Sequence, residues 1–177
     1  MEYLESRRGL IEDRFNEVVG RVEPEELQAQ VEHVALAGGK RVRPVVTLLA
    51  CETVGGDPSN AIDYAVGIEL VHNASLVVDD IIDKSSVRRG NASAWAAFGH
   101  GNAVLTSDGL MGEAFSLFSP NGEAMERVAD SIVELGEGEA IELVSELSTE
   151  AEYMDLARRK TGALFRAAAE LGGIAAE

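Results

Sequence analysis

Lysine is scarce in this chain. Of 177 residues only Lys40, Lys84 and Lys160 carry an ammonium, and every other basic side chain is an arginine. Cysteine is rarer still: Cys51 is alone, so no internal disulfide can form, and it reads as a small core hydrophobe in the apolar run 45–54. Aromatic residues are few and strand-type alternation is absent, which argues against a β-sandwich or barrel. No stretch is long and apolar enough to span a bilayer, and the opening residues MEYLESRRGL do not form a signal peptide. A cytoplasmic protein is expected. Positive charge is also short, with 15 basic against 31 acidic side chains and a net charge of −16. That balance argues against nucleic acid or an anionic membrane as partner. Excess acid with depleted lysine suits a halophilic protein, one whose self-repulsion is screened by a high-salt cytoplasm.

What remains is helical pattern nearly throughout, and residues 1–177 read as one all-α domain. A helix is expected over Tyr3–Val22, and Pro24 opens a second, which Gly38 and Gly39 stop. Pro44 suits the first turn of a third helix, ending at Val54. After the turn at 55–58, Ser59 or Asn60 is available to cap a long helix that ends near Asp83. The stretch Val87–Trp95 is less regular. Further helices are expected at His100–Phe118 and Glu123–Leu147, the latter weakened by Gly136 and Gly138. A last helix is capped by Ser148 or Thr149 and runs through Leu171, with Glu152 at the capping-box position.

The long fourth helix is the informative one. His72, Leu76, Asp79 and Asp83 fall at i, i+4, i+7 and i+11 and share a face, while the other positions are Val, Ile, Leu and Ala. Such flanks are too apolar for a solvated acidic face, so the carboxylates should look into an interior cleft. Carboxylates there repel one another and lose hydration, and a cation must compensate. Oxygen ligands at i and i+4 suit Mg²⁺, which keeps waters and completes its shell with phosphate oxygens.

Three cationic segments accompany this stripe. Gly38-Gly39-Lys40-Arg41-Val42-Arg43-Pro44 joins a flexible glycine pair to cations at a helix start, where Lys40, Arg43, backbone N–H groups and the helix dipole make an anion site. Arg88-Arg89-Gly90 follows the aspartates after a short loop, and adjacent arginines can grip two different anions. Arg158-Arg159-Lys160-Thr161-Gly162 lies in the last helix, where Lys160 and Thr161 can donate to a further phosphate. Together these describe a cleft for two diphosphates, one held through metal and one held directly.

With these segments in hand, the chain resembles the polyprenyl synthetase family, the trans-isoprenyl diphosphate synthases. The resemblance rests on GGKRVRP at 38–44, on DDIID at 79–83 as a first aspartate-rich DDxxD motif, on RRG at 88–90 and on KTGALF at 160–165. It implies an all-α isoprenoid synthase-type bundle and condensation of isopentenyl diphosphate with an allylic diphosphate, to geranylgeranyl diphosphate. Asp79 and Asp83, with Asp80, would bind Mg²⁺ and through it the allylic diphosphate. Lys40, Arg43, His72 and Arg89 would hold isopentenyl diphosphate, and Arg88, Lys160 and Thr161 would contact the allylic substrate. Ala74 and Ser75, both small, would form a floor that does not stop a growing product early. The family's second aspartate-rich motif is expected beyond residue 177, which makes the bundle incomplete at its C-terminal end. Two departures stand out: 91–95 lacks the family's proline, and Glu139 stands where an amide is common. A homodimer is implied, or a heterodimer with a full-length homologue. The alternative is a shortened noncatalytic homologue that binds diphosphates or regulates a complete synthase, or a disrupted gene product.

The charge imbalance generates a direct expectation. At ~1 M ionic strength, interactions between exposed charges are screened within about 3 Å. The melting temperature should therefore rise steeply from low to molar KCl, and a melting point indifferent to salt would contradict the halophilic reading.

Overall fold

The computed structural model describes residues 2–146 and 148–177. Helix α1 spans Glu2–Val19, α2 Glu25–Ala35, α3 Val42–Thr53, α4 Ile62–Ile82, α5 Ala94–Phe98, α6 His100–Phe118, α7 Gly122–Val144, α8 Glu150–Ala157 and α9 Ala163–Ala175. The all-α expectation holds. One exception is a two-residue antiparallel hairpin, β1 (Val87–Arg88) against β2 (Asn91–Ala92), which is too short to leave an alternating pattern in the sequence.

Helix ends follow local chemistry. Pro24 precedes α2, and its carbonyl accepts from Leu27 and Gln28 at 2.9 and 3.0 Å. That helix stops at Ala35, before the glycine pair expected to end it. The expected cap at Ser59 or Asn60 is corrected: the Asp57 carboxylate accepts from the Ser59 N–H at 2.9 Å and starts a short 3₁₀ turn, Pro58–Ala61, which leads directly into α4. The Asn121 side chain accepts from the Glu123 and Ala124 N–H groups and opens α7. That helix ends at Val144 despite its glycines, and the expected end at Leu147 lies outside the described residues. Thr149 and Glu152 form the capping box anticipated for α8. The helix expected from there to Leu171 instead contains a π-helical turn, Arg158–Gly162, before α9 carries on to Ala175. Such turns insert one extra residue per turn and concentrate at functional positions.

Helix α4 is the axis of the molecule and packs against α1, α2, α3, α5, α6 and α9. Its buried residues include Val66, Ile68, Leu70, Val71, Ala74 and Val77, all within the main core with Phe15, Leu110, Phe118, Leu164 and Leu171. Burial on nearly every side explains why its sequence shows no clean two-faced pattern. Two glycines set how closely its neighbours approach. A Cβ at Gly67 would lie 2.5 Å from the Phe118 ring, and one at Gly172 would lie 2.2 Å from the Thr47 carbonyl oxygen, where α9 meets α3.

These contacts separate two glycine substitutions that sequence alone would rank together. Gly172→Ala should destabilise by about 1–3 kcal/mol or more, because backbone must move to admit the methyl. Gly136→Ala, in α7 with nothing within 4 Å of its Cβ position, should stabilise by up to about 1 kcal/mol. Denaturant melts of the two variants check both signs.

Candidate functional site

Two buried carboxylates on α4 organise the site. Glu69 is 2 % exposed, and its Oε1 accepts from Arg41 Nη1 at 3.1 Å. Arg41 has left-handed backbone (φ 50°), and its buried guanidinium also donates to Glu12 at 2.8 and 3.4 Å and to the Ala35 carbonyl at 3.0 Å. The Phe15 ring lies beneath it, 4.4 Å away. The loop between α2 and α3 is thereby pinned to the core. Eleven residues along α4, Asp80 is 3 % exposed and accepts from Arg88 Nε at 3.0 and 3.2 Å and from Arg88 Nη2 at 2.5 Å. This pins the β1–β2 hairpin. Asp80, grouped with Asp79 and Asp83 as a metal ligand from the sequence, is thus engaged by Arg88. It lies one residue, about 100° around the helix, from Asp79.

With Arg41 and Arg88 held this way, the neighbouring cations face a cavity of about 570 Å³. It is lined by Gly39, Lys40, Arg43, Glu69, His72, Arg89 and Phe165. The four residues expected to hold one diphosphate, Lys40, Arg43, His72 and Arg89, therefore converge. Arg43 lies 4.4 Å over the Phe165 ring, and its buried Nε has no hydrogen-bond partner among the described residues. Arg89 donates to the Gly38 carbonyl. Burial draws the pKa of both Arg43 and Arg89 below the ordinary guanidinium value, with Glu69 acting against it. His72 is pushed down to about 3, first by burial and then by the surrounding arginines, so it is a neutral imidazole near pH 7.

The carboxylate end lies seven residues along α4, a rise of about 10 Å. Asp79 is half-buried, and Asp83 is exposed at the end of the helix. Burial, then the neighbouring Glu139, push the Asp79 carboxyl up to about 6, with Lys160 opposing. Gly138 lets α7 come close to the π-helical turn: its Cβ position is 3.1 Å from the Lys160 backbone nitrogen. Lys160 Nζ therefore reaches Glu139 Oε1 at 2.8 Å and also pairs with Glu142. Burial works against its charge, but these two carboxylates outweigh it and hold its pKa above the usual lysine value. Of its neighbours, Arg158 and Arg159 turn to Asp155, and Thr161 is exposed in the same turn.

Glu139 and Glu142 thus hold Lys160, the Asp79 carboxylate acts on it from α4, and the donor set, with Asp83 exposed at the end of that helix, is hard oxygen throughout. This fits a hard divalent cation. Among the described residues no three such side chains gather into a finished metal cage, so a cation here would complete its shell with water and phosphate oxygens, as Mg²⁺ does. Glu69, Arg41 and Glu142 were not singled out in the sequence. Glu142 could have been found from its i+3 spacing to Glu139, whereas nothing local marks Glu69 as the partner of Arg41.

A family model, polyprenyl synthetase, matches residues 24–177. A short chain isoprenyl diphosphate synthase of Methanothermobacter thermautotrophicus is 38 % identical over 98 % of this chain and 56 % of its own length. The geranylgeranyl pyrophosphate synthase of Geoglobus acetivorans is 36 % identical over 98 % and 57 %. Among solved structures, the geranylgeranyl pyrophosphate synthetase of Pyrococcus horikoshii superposes with a TM-score of 0.88 at 40 % identity, covering 99 % of this chain and 57 % of that one. A polyprenyl synthase of Caulobacter crescentus, complexed with calcium and isoprenyl diphosphate, gives 0.92 at 30 % identity, covering 99 % and 55 %. The bundle is thus of the isoprenoid synthase type, and the chain spans little over half the length of the relatives it matches. It belongs to the polyprenyl synthetase family.

Proposed function

We propose that this chain binds isopentenyl diphosphate in the cavity around Arg43 and His72, and a Mg²⁺–allylic diphosphate at Asp79 and Asp83, for prenyl transfer toward geranylgeranyl diphosphate. The observation that carries this is the pairing of the two ends of α4: an arginine-lined cavity with a buried, unpartnered Arg43 Nε, and an acid-rich end about 10 Å away. Lys40, Arg43 and Arg89 supply charge-assisted hydrogen bonds to one diphosphate. Neutral His72 adds a donor without further like-charge repulsion. At the other end, bound Mg²⁺ would neutralise charge developing on a departing diphosphate. Lys160 and Thr161 would donate to that same group, once Lys160 loosens from Glu139 and Glu142. The product floor remains Ala74 and Ser75, small residues on the buried stretch of α4.

A second reading has support in the surface. Val133, Leu143 and Val144 on α7, and Tyr153 and Met154 on α8, are 59–83 % exposed. An apolar surface of this kind favours association, with a second copy or with a full-length homologue that the chain would regulate. Condensation of labelled isopentenyl diphosphate with an allylic primer, by the chain alone and mixed with a full-length relative, separates the two. We expect weak turnover alone, since one aspartate cluster stabilises a leaving diphosphate poorly, and robust turnover alone would contradict that.

Calorimetry with inorganic pyrophosphate and Mg²⁺ tests the metal end. Asp79→Ala and Asp83→Ala should each weaken Mg²⁺-dependent binding about 10- to 100-fold, the scale of one charged contact. Lys84→Ala, outside the stripe and the cation segments, should change it little; equal binding in all three would refute the assignment. The neutrality of His72 is tested by stability. An unfolded histidine takes up a proton below about 6.5, which folded His72 refuses until about 3. Its contribution is therefore complete above pH 6.5 and is lost as pH falls from there, by about 1.4 kcal/mol per unit. His72→Gln should flatten that slope in denaturant melts between pH 6.5 and 4.5, and an unchanged slope would contradict a buried neutral imidazole.

A further inference from the structure

Behind the hairpin, between β2 and α4, lies a small chamber lined by His33, Asn73, Asp80, Arg88, Ser93 and Ala94 among others. It offers about 20 Å³ open to the centre of a water molecule, and one water needs roughly 10–15 Å³. Two of the residues lining it carry a buried side-chain atom with no hydrogen-bond partner among the described residues: Asn73 Oδ1 and Ser93 Oγ. Asn73 is 1 % exposed and Ser93 2 %. The Asn73 amide nitrogen is already committed, donating to the Glu69 carbonyl at 2.8 Å. A buried carbonyl and a buried hydroxyl left unpaired are each rare in native proteins. Two of them on one water-sized chamber point to a shared partner, since a buried water makes two to four bonds to such groups.

We propose that Asn73 and Ser93 hold one buried water in this chamber and through it position the hairpin that carries Arg88 and Arg89. The placement on both sides supports this. Asn73 lies on α4, the most buried helix, between Glu69 and Asp80. Ser93 directly follows β2, and its N–H donates to the Ser86 carbonyl at 2.9 Å, closing the hairpin base. Arg88 already ties β1 to Asp80 on α4, and two further bonds hold the flanks: His33 Nε2 to the Ala92 carbonyl at 2.7 Å and Trp95 Nε1 to the Ser85 carbonyl at 2.8 Å. The water would join the β2 end of the hairpin base to the same axis. A hairpin free to shift would move Arg88 and Arg89 together, and Arg89 lines both this chamber and the diphosphate cavity. Asn73 and Ser93 are therefore positioning residues, and this role rests on the diphosphate-binding reading above.

The test uses Ser93→Ala, Asn73→Leu and the double variant. Water-proton relaxation dispersion should count one long-lived water in the unmodified chain that is lost in every variant. Isopentenyl diphosphate in EDTA, where metal cannot contribute, should bind about 5- to 10-fold more weakly to each single variant. The double variant should be no weaker than either single one, because both side chains act through one water. The Arg88 and Arg89 Nε–H resonances should shift in all three. A water count unchanged by the variants overturns the proposal, as do multiplicative losses or unchanged affinity. If the unmodified chain does not bind isopentenyl diphosphate, the functional reading fails, while the water count and the arginine resonances still decide the chamber. Should Asn73→Leu not fold, Ser93→Ala alone carries the comparison.

Discussion

Two ion pairs hold the site together: Glu69 with Arg41, and Asp80 with Arg88. In each, a carboxylate buried on the central helix takes one arginine from a loop and leaves the loop's other cations facing outward. The Arg41–Glu69 pair is almost wholly buried, with side chains 1 % and 3 % exposed. Removing one partner of such a pair typically costs about 3–5 kcal/mol, because the other charge is stranded. These pairs are weak evidence for net stability, since desolvation offsets much of the attraction. Their value lies in register. Lys40 and Arg43 flank Arg41, and Arg89 follows Arg88, so fixing the buried arginine aims its neighbours at the cavity.

The same logic runs in reverse at the other end of the helix. There the acids outnumber the cations, and Lys160 is clasped by Glu139 and Glu142. Glu139, in the position where the family resemblance anticipates an amide, has two consequences. It presses on Asp79, and it holds Lys160. On the proposed function a metal ion would relieve the first, and a diphosphate arriving with metal would relieve the second. The two ends therefore differ in kind: one is a standing deficit of anions, the other a standing deficit of cations.

Much of this was legible in the residues. The spacing of His72 and Asp79 along α4 needed only helical periodicity, and the Thr149–Glu152 cap only a local motif, whereas Asp83, expected to face an interior cleft, is exposed because α4 ends at Ile82. Motifs placed Lys40, Arg43, Arg89 and Lys160 as candidates, and folding brings the first three into one cavity. What escaped were the long-range pairings. Arg41 and Arg43 look alike in sequence, yet one is spent on Glu69 and Glu12 while the other lies over Phe165 with its Nε unpartnered among the described residues. Asp80 looks like Asp79 until the turn of the helix sends it to Arg88. The π-helical turn at 158–162 left no signal in the sequence either; in the fold it sits where Gly138 lets α7 come close, with Lys160 on Glu139 and Glu142.

The proposed function puts two diphosphate sites with different needs on one helix. Calorimetric titration of the chain with inorganic pyrophosphate, first in EDTA and then in excess Mg²⁺, tests this most directly. It should give one site without metal and a second that appears only with Mg²⁺. A single site under both conditions, or two sites that ignore the metal, would contradict it.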